Sequence, residues 1–77
     1  MSSPDAILDA TGLLCPLPVL KARKRLQSLE IGQVLEVHAD DPAARVDIPH
    51  FCAEQGHELL ATRNLEEGVI VFRLRKA

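Results

Sequence analysis

This chain has two thiols, Cys15 and Cys52, and their settings differ. Cys15 stands in Gly12-Leu13-Leu14-Cys15-Pro16-Leu17-Pro18. Prolines at 16 and 18 are compatible only with the first turn of a helix, where the N–H groups have no intrahelical acceptor, so the helix is expected to start at Cys15 or Pro16. Cys15 then lies at the N-cap or beside it. The positive end of the helix dipole and the free N–H groups there lower a thiol's pKa and favour thiolate. Pro16 and Pro18 supply no N–H, leaving Leu17 and Val19 as donors, so the expected activation is moderate. That suits a sulfur that must attack and later be released, because an attacking thiol works best with a pKa near ambient pH. The prolines also stiffen the turn that holds the sulfur outward. A buried inert thiol is the alternative, and it fits poorly between a glycine-ended strand and a double-proline helix start.

Around Cys15 the sequence supplies an apolar collar, Leu13, Leu14, Leu17 and Leu20. Leu14, Leu17 and Leu20 are candidates for a partner-docking surface that excludes water from a transfer step; equally, these leucines could cover the sheet edge. Lys21, Arg23, Lys24 and Arg25 read first as the solvated side of a helix, with Lys21 and Lys24 as further docking candidates that would steer an acidic partner. Cys52 shares a helical face with Ile48 and Phe51 and reads as a small core residue. A Cys15–Cys52 redox pair has no support from spacing. The two cysteines with His38, His50 and His57 contain none of the short ligand pairs of a zinc site, so no metal is expected and the histidines read as surface residues. Asp40-Asp41-Pro42 reads as a helix cap.

At 77 residues the chain has room for one domain and one core, with about 60–65% of the extended surface buried on folding. A cofactor cleft would consume much of that core, which favours a carrier or binding module over a self-sufficient enzyme and leaves no organic cofactor to expect. Two cysteines are too few for a secreted disulfide scaffold, and Met1-Ser2-Ser3-Pro4-Asp5 lacks the basic and apolar regions of a signal peptide, so reduced thiols in the cytoplasm are expected. Every apolar run is interrupted by charge before reaching the roughly 20 residues that span a bilayer. A net charge of −2 with two aromatic residues, Phe51 and Phe72, argues against direct nucleic-acid binding and for protein partners, with the chain taken as a monomer.

The elements that must position Cys15 follow from periodicity. Ala6 to Ala10 reads as a short strand broken by Thr11-Gly12, and Val19, Ala22, Leu26 and Leu29 form the apolar stripe of a first helix ended by Gly32. In Val34 to Ala39, Leu35, Val37 and Ala39 alternate with Glu36 and His38 as in a half-buried strand. A second helix carries Ile48, Phe51, Cys52 and Gln55 on one face and stops at Gly56; Pro49 sets its regular part to begin near Asp47. His57 to Arg63 and Gly68 to Arg75 read as two strands joined by a hairpin loop from Asn64 to Gly68. The predicted fold is α+β, a two-layer sandwich of order β-α-β-α-β-β, with both helices on one face of a four-stranded mixed sheet.

The motif residues also carry a family resemblance. Asp9-Ala10-Thr11-Gly12-Leu13-Leu14-Cys15-Pro16-Leu17-Pro18, the basic helix after it, Gly32-Gln33-Val34-Leu35, Ala39-Asp40-Asp41-Pro42-Ala43, Asp47-Ile48-Pro49-His50-Phe51-Cys52 and Gly56-His57-Glu58-Leu59 together resemble the TusA (SirA-like) family of sulfur carriers over nearly the whole chain. The resemblance implies a fold like the C-terminal domain of a bacterial translation initiation factor. It implies that a pyridoxal-phosphate cysteine desulfurase or a rhodanese loads sulfur onto Cys15 as a persulfide, which then passes to an acceptor protein thiol. Such relays serve tRNA 2-thiouridine synthesis, molybdenum cofactor synthesis or dissimilatory sulfur oxidation. The family motif often has Arg before the cysteine and Glu between the prolines, where this chain has Leu14 and Leu17. A regulatory protein-binding module without sulfur chemistry is the reading from a different class, and an RNA-binding domain is a third, disfavoured by charge.

Overall fold

The structure is a computed structural model that describes residues 3–77. Its elements are β1 (Ala6–Ala10), α1 (Leu17–Gln27), β2 (Val34–Ala39), α2 (Ala44–Gln55), β3 (Glu58–Asn64), a 3₁₀ turn (Glu66–Gly68) and β4 (Ile70–Arg75). The strands form one sheet in the order β1-β2-β4-β3, with β1 parallel to β2 and β4 antiparallel to both neighbours. This is the mixed four-stranded sheet with two helices that alternation and helical spacing predict.

Alternation assigns the faces. Leu8 and Ala10 of β1, Leu35, Val37 and Ala39 of β2, and Ile70, Phe72 and Leu74 of β4 are buried in one cluster with Ala22 and Leu26 of α1 and Ala44, Ile48, Phe51 and Cys52 of α2. Val19, Leu29 and Leu59 pack against it, half-buried. On the opposite face of the sheet, Glu36 accepts hydrogen bonds from Nε2 of His38 (2.8 Å) and Nε of Arg73 (3.1 Å). These bonds, that from His38 first, hold the Glu36 carboxyl below its ordinary pKa.

Several local features differ from the sequence reading. The first helix ends at Gln27, capped by Ser28, whose N–H and hydroxyl both donate to the Arg25 carbonyl; Gly32, at φ +90°, belongs to the following turn. The second helix starts at Ala44 and contains Pro49, instead of beginning near Asp47. The missing Pro49 N–H removes one helical bond, and burial of Ala44 and Ile48 against the sheet holds the turn in place. Gln55 faces solvent, whereas Gly56, at φ +76°, makes the left-handed end expected of it. His57 lies before β3, with its ring centroid 5.5 Å from that of Phe51 and its Nδ1 accepting from the Ala77 N–H. His38 and His57 are half-buried, and of the three histidines only His50 is fully exposed.

The center of the sheet carries the stability. Phe72 is fully buried at the β2–β4 pairing, opposite Val37. Phe72→Ala should cost about 3–5 kcal/mol, a large share of a domain this size, and urea unfolding followed by circular dichroism should show it.

Candidate functional site

Cys15 is exposed in the loop between β1 and α1, two residues before the helix begins; Pro16 is the N-cap, and the Cys15–Pro16 peptide is cis. The Leu17 N–H donates to the Leu14 carbonyl (2.8 Å) and that of Leu20 to the Pro16 carbonyl (3.1 Å). Pro18 occupies the first helical turn and is buried, so its ring anchors the turn while Cys15 points outward.

The loop is fixed mainly by carboxylates from the end of β2. Asp40 accepts from the Gly12 N–H with both oxygens (2.9 and 3.1 Å). Asp41 accepts from the Cys15 N–H through Oδ2 (2.8 Å) and from the Ala43 N–H through Oδ1 (3.0 Å). The Asp40-Asp41 pair therefore braces the cysteine loop, and Asp41 also binds the N–H of Ala43, the residue before the second helix. The bonds from Ala43 and Cys15 hold the Asp41 carboxyl below its ordinary pKa.

The thiol itself donates to Oδ2 of Asp47, at 2.7 Å. This contact reverses the electrostatic expectation. Donation to Asp47, with desolvation and the negative charges of Asp47 and Asp41, raises the Cys15 pKa above its ordinary value. The acids of the β2–α2 connection and α2 act on the thiol at a helix start where neither the N-cap Pro16 nor Pro18 offers an N–H. Beside the sulfur lies a cleft of about 220 Å³ between the start of α1 and α2, lined by Cys15, Pro16, Val19, Asp47, His50, Phe51 and Glu54. Asp47, His50, Phe51 and Glu54 recur at helical spacing, the signal by which the sequence could have revealed this wall.

The collar leucines are open to solvent, Leu14 at 72%, Leu17 at 43% and Leu20 at 50% exposure. Lys21 and Lys24 line a separate depression with Leu8, Arg25 and Ser28 and are not brought together with Cys15 in the cleft. Cys52 is 2% exposed, and burial pushes its thiol up to about 11. Among the described residues no group of His, Cys, Asp or Glu is arranged to hold a metal ion, and no helix is long and apolar enough to cross a membrane.

Fold and site together define a small two-layer α/β domain with one exposed and one buried thiol, the exposed one on a loop braced by acids. The family model for sulfurtransferase TusA matches residues 6–76. A sulfur carrier protein TusA of Pseudomonas putida is 49% identical over 74 residues, 96% of this chain and 91% of that one. A sulfur carrier protein TusA of Pseudomonas entomophila is 50% identical over 72 residues, 94% of this chain and 89% of that one. The crystal structure of a SirA-like protein from Desulfitobacterium hafniense superposes with a TM-score of 0.82 at 30% identity, covering 91% of this chain and 95% of the other. The chain belongs to the sulfurtransferase TusA family and is a sulfur carrier, a role that entails contact with sulfur donor and acceptor proteins.

Two measurements test the site. Iodoacetamide should label Cys15 in the folded protein at pH 8 while Cys52 reacts only in urea, as peptide mass spectrometry would report. Asp41 contributes stability that is present above its unfolded pKa of about 3.9 and is lost as pH falls through the lower folded value. Asp41→Asn should therefore lower the urea midpoint at pH 7 and leave a smaller difference from wild type at pH 3.

Proposed function

We propose that Cys15 accepts sulfane sulfur as a persulfide from a cysteine desulfurase or a rhodanese and passes it to the thiol of an acceptor protein. The observation that carries this reading is the contrast between the two cysteines: Cys15 is exposed beside an open cleft, and Cys52 is sealed in the core. Pro16 and Pro18 set the geometry of the loop, and the exposed Leu14, Leu17 and Leu20 give a donor or acceptor an apolar surface to cover. Leu14 and Leu17 replace the charged residues common at these places in the family, so partner choice here rests on apolar contact more than on ion pairs.

Loading needs no cofactor on this chain. The Cys15 sulfur attacks the outer sulfur of a donor persulfide, the donor S–S bond breaks as the new one forms, and the donor leaves as a thiol. The carrier acts as one cytoplasmic domain and a monomer, in tRNA 2-thiouridine synthesis, molybdenum cofactor synthesis or dissimilatory sulfur oxidation. Neither a metal nor nucleic acid takes part directly.

Intact-protein mass spectrometry after incubation with a cysteine desulfurase and cysteine, and separately with a rhodanese and thiosulfate, tests the assignment. Wild type and Cys52→Ser should gain one sulfur atom, removable by reductant, and Cys15→Ser should gain none. Failure of every form to gain sulfur from either donor would replace the carrier chemistry at Cys15 with a protein-binding role, which Cys15→Ser would leave intact.

A further inference from the structure

In the 2.7 Å contact the Cys15 thiol donates its proton to a hydrogen bond with Oδ2 of Asp47, and the cleft beside it combines apolar and acidic side chains. Its apolar lining is Pro16, Val19 and Phe51, and its acidic groups are Asp47 and Glu54. The charged groups acting on the sulfur are Asp47 from α2 and Asp41 from the β2–α2 connection; His50 and Glu54 of α2 line the same cleft, and the α1 side contributes Pro16 and Val19. Glu54 is 3.3 Å from His50 Nε2, while no salt bridge occupies Asp47 among the described residues. An apolar lining beside a carboxylate that binds the thiol but is in no ion pair matches a lysine or arginine side chain, whose stem packs on hydrocarbon while its head pairs with the acid.

We propose that Asp47 is a positioning residue that keeps resting Cys15 protonated, and that a cationic side chain of the docking protein takes the Asp47 carboxylate in this cleft and frees the sulfur to react. The inference rests on Cys15 being the reacting thiol. Pairing Asp47 with a cation removes the acceptor of the thiol proton and cancels the nearest negative charge, and both changes favour thiolate. In loading, Cys15-SH and a donor R-S-SH become Cys15-S-SH and R-SH. One S–S bond breaks and one forms, the Cys15 proton ends on the departing donor thiolate, and there is no net oxidation. The raised thiol pKa is consistent with this resting state, in which Cys15 is shielded from adventitious oxidants between partners.

Both arms of the test avoid sulfur loading, so their outcome is independent of whether the carrier reading stands. The first is the pH profile of iodoacetamide alkylation of Cys15 in the Cys52→Ser background, compared with and without Asp47→Asn or Asp47→Glu. Asp47→Asn should move the midpoint to lower pH and speed alkylation at pH 7 by about threefold per pKa unit, the thiolate gained being partly offset by lower nucleophilicity. Asp47→Glu should stay close to the unsubstituted profile. The second arm compares the rates at which Cys15 reacts with cystamine, a cationic disulfide, and with neutral hydroxyethyl disulfide. The cationic reagent should be favoured several-fold in the presence of Asp47, with the preference shrinking as salt rises and collapsing in Asp47→Asn. Circular dichroism confirms that each variant is folded. A midpoint that does not fall in Asp47→Asn, or a cationic preference that is absent or survives that substitution, would overturn the proposal.

Discussion

One carboxylate joins the two halves of the site. Asp41 binds the Cys15 N–H with one oxygen and the Ala43 N–H with the other, so the loop that carries the thiol and the approach to α2 are held by the same side chain. Asp41 can do this because β1 and β2 run parallel in register, with Ala10 opposite Ala39, which brings both strands to an end at the same edge. The turn after β1 and the turn after β2 are therefore neighbours, and acids in one meet unpaired N–H groups in the other. Without that parallel pairing, Asp40 and Asp41 would have no loop to brace, and α2 would not bring Asp47 to the sulfur.

The rest of the molecule serves this edge by being covered on one face only. Both helices lie on the side of Leu8, Val37 and Phe72, and their starts flank the opening beside Cys15. The core is small, and Cys15 lies outside it at an exposed loop with Asp41 and Asp47 beside it. Those charges are negative. They raise the pKa of the thiol, opposite to the direction in which a helix dipole alone would move it.

The strands and the first helix were legible because alternation and helical spacing are local. Val34 to Ala39 and Ala6 to Ala10 have the predicted bounds, and the stripe of Ala22 and Leu26 faces the sheet. The start of α2 was misread because the rule about proline was weighed without the burial of Ala44 and Ile48, which tertiary packing supplies. Cys15 was recognisable from its prolines, but its electrostatics were not. The thiol's hydrogen-bond partner lies 32 positions further along the chain, and a helix-terminus argument considers only the nearest turn. Likewise Asp40 and Asp41 look like a cap until the loop after β1 is placed against them.

At the other end of the sheet, Asp5 exchanges bonds with Val34, the Lys76 backbone pairs with Gly32 and Gln33, and the Lys76 ammonium donates to the Leu29 carbonyl. Because β1 and β4 run in opposite directions, β1 begins and β4 ends at the end of the sheet away from the Cys15 loop. Asp5 and Lys76 therefore lie at the end of the sheet opposite the Cys15 loop. The domain can thus be tethered to a surface, fused to an enzyme or strung in tandem, with its reactive edge still free to meet a second protein.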